Sequence, residues 1–252
     1  MTRTKAVLFD MAGTVVSMGI FDDHQGVVAS EFARILGLDD FQNEMVASAF
    51  TGRGATNAKQ NIFQQDFYLF RDIFAVRYAV AAKELGFKLT RSDTTMLSDM
   101  WWKGCIAKFQ ELGLHGGGLR KGAIDTLQTL RESGFNVGLV SNLDEGDFQD
   151  FLSVDNFASY FDFHLSSEAA QSCKPDAAIF DLALEQAGCT ANEVVFVGDT
   201  PTQDIDGAAA AGMQTVLIHE ELKQATRDMN STHKPDHEIN ELPELLEIIQ
   251  GL

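Results

Sequence analysis

The chain has 252 residues, 45% of them hydrophobic and 22% charged, the proportions of a globular protein, and no run of 18 or more apolar residues offers a membrane span. Thirty-seven acidic residues against nineteen basic ones give a formal charge of −18, which repels nucleic-acid backbones and anionic lipid, and no basic cluster offsets it. The three cysteines, Cys105, Cys173 and Cys189, are odd in number and widely spaced, with no C-x-x-C pair to suggest zinc or redox work, so they read as buried free thiols.

The opening residues, Met1-Thr2-Arg3-Thr4-Lys5, lack the apolar segment and cleavage site of a signal peptide, and the cytoplasm is the expected compartment. Residues 5–9 predict a short buried strand, because a continuous apolar run bounded by a turn suits a parallel sheet covered on both faces. Asp10 then stands as an exposed carboxylate at the strand's carboxyl end, followed by a tight Gly13-Thr14 turn. From about Asp22 to Ala107 the periodicity is helical: Val27, Val28, Phe32, Ile35 and Leu36, then Phe67, Phe70, Ile73, Phe74 and Val76, recur at three- and four-residue steps. This predicts an all-helical inserted domain, expected over residues 19–115. Within it, adjacent Trp101 and Trp102 predict one ring in the core and the other near an interface or cleft, with core packing preferred.

After Gly116-Gly117-Gly118, strand and helix alternate: helix over Ala123–Ser133, strand over Asn136–Val140, helix over Glu145–Leu152 and strand over Phe163–Leu165. A helix over Ala177–Gln186, a strand over Glu193–Val197, a helix over Thr202–Ala211 and a strand over Thr215–Ile218 follow. Such alternation implies right-handed crossovers and a doubly wound, Rossmann-like parallel sheet, so residues 1–18 and 116–252 are expected to form an α/β core. The polar tail from Glu220 is expected to pack on the sheet edge, with a helix starting near Pro243.

Ligands bind such sheets outside the carboxyl ends of the strands, and the chemistry-bearing residues cluster there. Asp199 follows the apolar run Val194–Val197 and, like Asp10, projects from a carboxyl edge. Two carboxylates converging on one point need a cation, and oxygen-only ligands favour magnesium. Ser141 and Asn142 end another strand, where a hydroxyl and backbone N–H groups can bind phosphate oxygens, although Ser-Asn also caps helices. Lys174, before Pro175 and Asp176, puts a cation at a helix start. Asp204 reads either as an outer carboxylate of a metal site or as a helix N-terminal charge.

In order, D-x-A-G-T at Asp10–Thr14, Val140-Ser141-Asn142, Lys174-Pro175 and Gly198-Asp199-Thr200-Pro201-Thr202-Gln203-Asp204 resemble the four motifs of the haloacid dehalogenase-like hydrolases, over about residues 5–219 apart from the insert. The resemblance implies an attacking Asp10 that forms an aspartyl-phosphate, and a magnesium ion (Mg2+) held by Asp10, the backbone carbonyl of Ala12 and Asp199, with Asp204 further out. It implies phosphate binding by Thr14, Ser141, Asn142 and Lys174. The insert would be a cap that closes over the site, with Arg53 as a candidate contact to an anionic substrate. The expected partner is a small-molecule phosphate or phosphonate, with no nucleic acid and no membrane, on a monomer or homodimer.

One residue departs from the usual phosphatase pattern. Ala12 stands where D-x-D-G-T phosphatases carry the aspartate that protonates the leaving group and then activates water, a role worth ~10²–10⁴-fold in rate. The D-x-A-G-T form resembles phosphonoacetaldehyde hydrolases, whose cap lysine forms an imine three residues after a glycine. Here Gly52 leads to Ala55 at that place, and Lys59 lies one turn further on. Three readings follow: a magnesium-dependent phosphate-ester hydrolase, a C–P hydrolase using Lys59, or a catalytically weak phosphometabolite-binding protein. His24 and His115, near the ends of the insert, are candidate replacement acids. His233 and His237 lack the further ligand that a zinc site needs.

Overall fold

A computed structural model of the chain describes residues 3–22, 25–38, 62, 65–219 and 231–252. Arg53, Lys59 and His24 lie outside the described residues. The chain divides into two compact units, one of Met1–Met18 with Phe109–Leu252, the other of Gly19–Lys108.

The first unit is built on six parallel strands: β1 (Ala6–Phe9), β2 (Asn136–Ser141), β3 (Phe163–Ser166), β4 (Val194–Gly198), β5 (Gln214–Ile218) and β6 (His237–Ile239), in the spatial order β3-β2-β1-β4-β5-β6. Every residue of β1 and β4 is buried, as continuous apolar runs in a sheet covered on both faces should be. Ala6, Leu8, Val140 and Phe196 form one core with Ile179, Phe180 and Ala183 of helix Ala177–Ala187, where the Phe180 and Phe196 rings meet edge-on at 5.4 Å. The strand order runs outward in one direction from β1 and in the other from β4. The switch point of the sheet therefore lies between these two central strands, where a crevice for ligands opens. Phe9 pairs with Val197, so Asp10 and Asp199 leave adjacent strands within one residue of register.

The secondary structure departs from the sequence expectation in the tail and in the turn after β4. The tail supplies β6, paired in parallel with β5 ahead of helix Glu244–Gln250, so it extends the sheet as well as packing on it. A three-residue strand, His-Glu-Ile, inside a polar stretch carries too little alternation to be seen in one dimension. The expected single helix over Thr202–Ala211 is a π-helical turn, Pro201–Ile205, followed by helix Asp206–Ala210. Pro201 at the start and a buried Asp204 bent back to accept from the Thr200 N–H at 2.9 Å favour the wider turn, a distortion common at functional sites.

The described elements of the second unit are all helices: Gly19–Asp22, Gln25–Ile35, Phe70–Glu84 and the first part of Arg91–Leu112. Ile73, Phe74, Tyr78, Ala81 and Ala82 form the buried stripe of helix Phe70–Glu84. Both tryptophans are buried, so the preferred core packing holds for each ring. Trp101 packs on Phe74 with centroids 4.4 Å apart and Trp102 meets Phe70 at 5.6 Å, while Phe21 of helix Gly19–Asp22 meets both indoles. No described helix is long and apolar enough to cross a membrane. Cys105 and Cys173 are buried free thiols, and Cys189 is half-buried.

Candidate active site

The site is built at the carboxyl ends of β1 and β4. The Asp10 N–H donates to the Val197 carbonyl at 2.9 Å, one further rung of the β1–β4 ladder, and this fixes where its side chain leaves the sheet. That carboxylate is buried, at 7% exposure, which corrects the exposed strand-end group expected from the sequence. The reason is Lys174. Its ammonium, also buried, donates to Asp10 Oδ1 at 2.6 Å, to Asp204 Oδ1 at 2.7 Å and to the Val140 carbonyl at 3.0 Å, and lies 5.4 Å from the centre of the Phe196 ring. A buried charge persists only when paired and hydrogen-bonded, and here two acids and one base compensate one another.

Asn142 sets the position of Lys174. Its side-chain oxygen accepts from the Lys174 N–H at 2.8 Å and its amide nitrogen donates to the Lys174 carbonyl at 2.9 Å, so one side chain grips both sides of that residue's backbone. The same amide donates to Gln203 Oε1 at 3.3 Å, tying in the turn after β4. Ser141 closes β2, buried, in register with Ser166 of β3.

Asp199 completes the acidic group. Asp10, Asp199 and Asp204 each offer a carboxylate oxygen, all within 4.8 Å of one another. Asp199 rests against Gly13: a Cβ built on that glycine would fall 2.2 Å from Asp199 Oδ2, and Gly13 has a φ of +86°. Glycine is needed there on both counts. Asp204 packs the same way on Gly198, where a Cβ would meet its side chain at 2.3 Å. The half-buried Ala12 pairs with Val16 in the intervening turn. Thr14 is fully enclosed, and its hydroxyl has no hydrogen-bond partner among the described residues.

The electrostatics follow from this crowding. Burial pushes the Asp10 carboxyl up to about 6, with Asp204 adding to the rise and Lys174 opposing it. Burial, then the charges of Asp10 and Asp204, push Asp199 well above the usual carboxylate range. Burial works against the Lys174 charge, but Asp10 and Asp204 outweigh it and hold the ammonium more firmly protonated than an ordinary lysine. Three carboxylates share one ammonium, so acidic groups outnumber basic ones in a small cluster of oxygen donors. That donor set fits a hard divalent cation with magnesium's preference for carboxylate and water oxygens.

A family model described as haloacid dehalogenase-like hydrolase matches residues 4–212 of the chain. The chain belongs to the haloacid dehalogenase-like hydrolases. It is 30% identical to a ribulose-1,5-bisphosphate 5-phosphatase of Halopiger xanaduensis over 253 residues, covering 97% of this chain and 98% of that protein. It is 35% identical to a glyceraldehyde 3-phosphate phosphatase of Methanopyrus kandleri over 130 residues, 51% of this chain and 55% of the relative. Among solved structures, a magnesium-bound Bacillus subtilis HAD-hydrolase, YfnB, superposes with a TM-score of 0.72 at 21% identity, covering 98% of this chain and 99% of that one.

In this haloacid dehalogenase-like hydrolase, four residues singled out in the sequence, Asp10, Lys174, Asp199 and Asp204, meet in one cluster, with Asn142 bound to the backbone of one of them. Sequence reasoning missed Arg120 and Gln203. Gln203 lies inside the last motif and could have been found there. Arg120 belongs to no motif, and only its burial reveals it.

Proposed function

We propose that this hydrolase is a magnesium-dependent phosphatase acting on a phosphorylated small molecule through an aspartyl-phosphate on Asp10. The observation that carries the reading is the convergence of Asp10, Asp199 and Asp204 around the Lys174 ammonium at the sheet's switch point. Asp10 attacks phosphorus, the bond from phosphorus to the leaving oxygen breaks, and the phosphoryl group is carried on the carboxylate. Water then attacks that phosphorus, releasing inorganic phosphate and restoring Asp10. Magnesium, when bound, offsets the repulsion between the carboxylate and the anionic substrate. Asp10, the Ala12 carbonyl and Asp199 would hold it, with Asp204 outside them.

Lys174 keeps Asp10 ionised and oriented, and with Ser141 and the backbone beside Asn142 it binds phosphate oxygens. Thr14, being enclosed, contributes through the turn it builds. In this reading segment 19–115 would be the cap that selects the substrate, with Arg53 as its anion contact. The two relatives are named for phosphate esters of small sugars, which favours that class of substrate over a phosphonate. The C–P alternative rests on Ala12 and on Lys59, for which no further observation speaks. Purified chain should release phosphate from p-nitrophenyl phosphate and from a panel of sugar phosphates with magnesium, and lose this with chelator. Asp10→Asn should abolish it. Full hydrolysis by Asp10→Asn would overturn the nucleophile assignment.

A further inference from the structure

Arg120 is a buried arginine outside every motif, at 5% exposure. Its guanidinium donates to three backbone carbonyls from distant parts of the chain: Nη1 to Gly13 at 2.7 Å, and Nη2 to His219 and to Asn240, each at 2.8 Å. Gly13 is the centre of the turn after Asp10. His219 and Asn240 each follow the last residue of a strand, β5 and β6. The Arg120 backbone N–H also donates to the Val15 carbonyl at 2.9 Å, and Ser17 donates to Gly118 at 3.1 Å, so residues 118–120 run beside the exit of the same turn.

Gly13 is therefore held from both sides. Its N–H donates to Val16 at 2.8 Å and its carbonyl accepts from Arg120, while its Cα is the surface against which the Asp199 carboxylate rests. The peptide before it carries the Ala12 carbonyl. Any rotation of Gly13 would move that carbonyl and the seat of Asp199 together. A planar guanidinium can direct separate N–H groups at several fixed acceptors, which a single ammonium on a flexible stem cannot reproduce.

We propose that Arg120 is a positioning residue for the divalent-cation site: it locks the Gly13 turn to the carboxyl ends of β5 and β6, and so holds the Ala12 carbonyl and Asp199 in ligating geometry. The inference rests on the phosphatase reading above. It also makes the C-terminal strand, remote in sequence, part of the scaffold of the reacting centre.

The test measures magnesium affinity by calorimetry on substrate-free protein, beside kcat and KM for p-nitrophenyl phosphate, in wild type, Arg120→Met, Arg120→Lys and Lys121→Ala. Lys121→Ala removes the neighbouring exposed pair with Glu241 and should match wild type. Arg120→Met should weaken magnesium binding and lower kcat by about 10- to 100-fold, the usual cost of removing a group that orients metal ligands, with KM changed less than about threefold. Arg120→Lys should fall between the two. If Arg120→Met does not fold, Arg120→Lys decides: a wild-type melting temperature with magnesium affinity and kcat both within about twofold of wild type overturns the inference. If wild type itself binds no magnesium, the phosphatase reading fails and this inference falls with it. Tight binding by wild type and by both arginine variants sinks only the role of Arg120.

Discussion

The Asp199 carboxylate lies directly on the Cα of Gly13, so closely that a methyl group there would sit 2.2 Å from Asp199 Oδ2. Two motifs separated by 186 positions thus share one van der Waals surface. Gly13→Ala should cost about 1–2 kcal/mol from the left-handed backbone alone, and should also displace Asp199. Thermal denaturation and magnesium titration would show both losses. A variant with unchanged magnesium affinity would mean that Asp199 does not depend on this seat.

Removing the Lys174 ammonium leaves Asp10 and Asp204 facing one another in the interior. Breaking a buried pair from one side costs roughly 3–5 kcal/mol, because an uncompensated charge remains. Lys174→Met should therefore be strongly destabilised without magnesium, as measured by chemical denaturation, and inactive with it. Adding Asp204→Asn should recover part of the stability but none of the activity.

The raised carboxyls give the metal-free protein a defined pH response. An acid whose folded-state pKa exceeds its unfolded value binds more protons when folded, so stability falls as pH rises through the interval between the two. For Asp10 that interval runs from the ordinary 3.8 to about 6. The raised Asp199 acts in the same direction. The melting temperature of metal-free protein, followed from pH 4.5 to 7, should carry this decline, and Asp199→Asn should lessen it. At pH 7 Asp199→Asn should raise the metal-free melting temperature by about 2–4 °C, the scale of 1 kcal/mol in a chain of this size, and abolish the rise caused by magnesium.

On the proposed phosphatase reading, Ala12 stands where an aspartate would protonate the leaving group. Ala12→Asp should restore general acid/base catalysis and raise kcat on alkyl phosphates, by up to ~10²-fold at the lower end of such effects. The gain on p-nitrophenyl phosphate should be much smaller, because that leaving group departs unprotonated. Equal gains on both substrates would show that the new carboxylate acts otherwise.

Much of the core was legible because its strands are short, apolar and separated by helical periodicity. The strands expected over residues 5–9 and Glu193–Val197 form as Ala6–Phe9 and Val194–Gly198, and the carboxylates that follow them are readable as a pair for the same reason. β6 was not legible, since three residues in a polar tail become a strand only when β5 offers its open edge. Nor was the burial of Asp10, which looks like a solvated turn residue until Lys174, 164 positions away, is folded against it. Arg120 belongs to no motif, and its three carbonyl partners come from segments that no local pattern connects to it.

Residue type, order and periodicity were enough to determine the alternating α/β core and to single out Asp10, Lys174, Asp199 and Asp204, because these are properties of neighbours along the chain. Only the tertiary structure decided that Asp10 is enclosed, that Asn142 holds the backbone of Lys174, and that Arg120 ties Gly13 to the last two strands. Those relationships are distances between remote segments, set by strand register and by the need of each buried charge and carbonyl to find a partner.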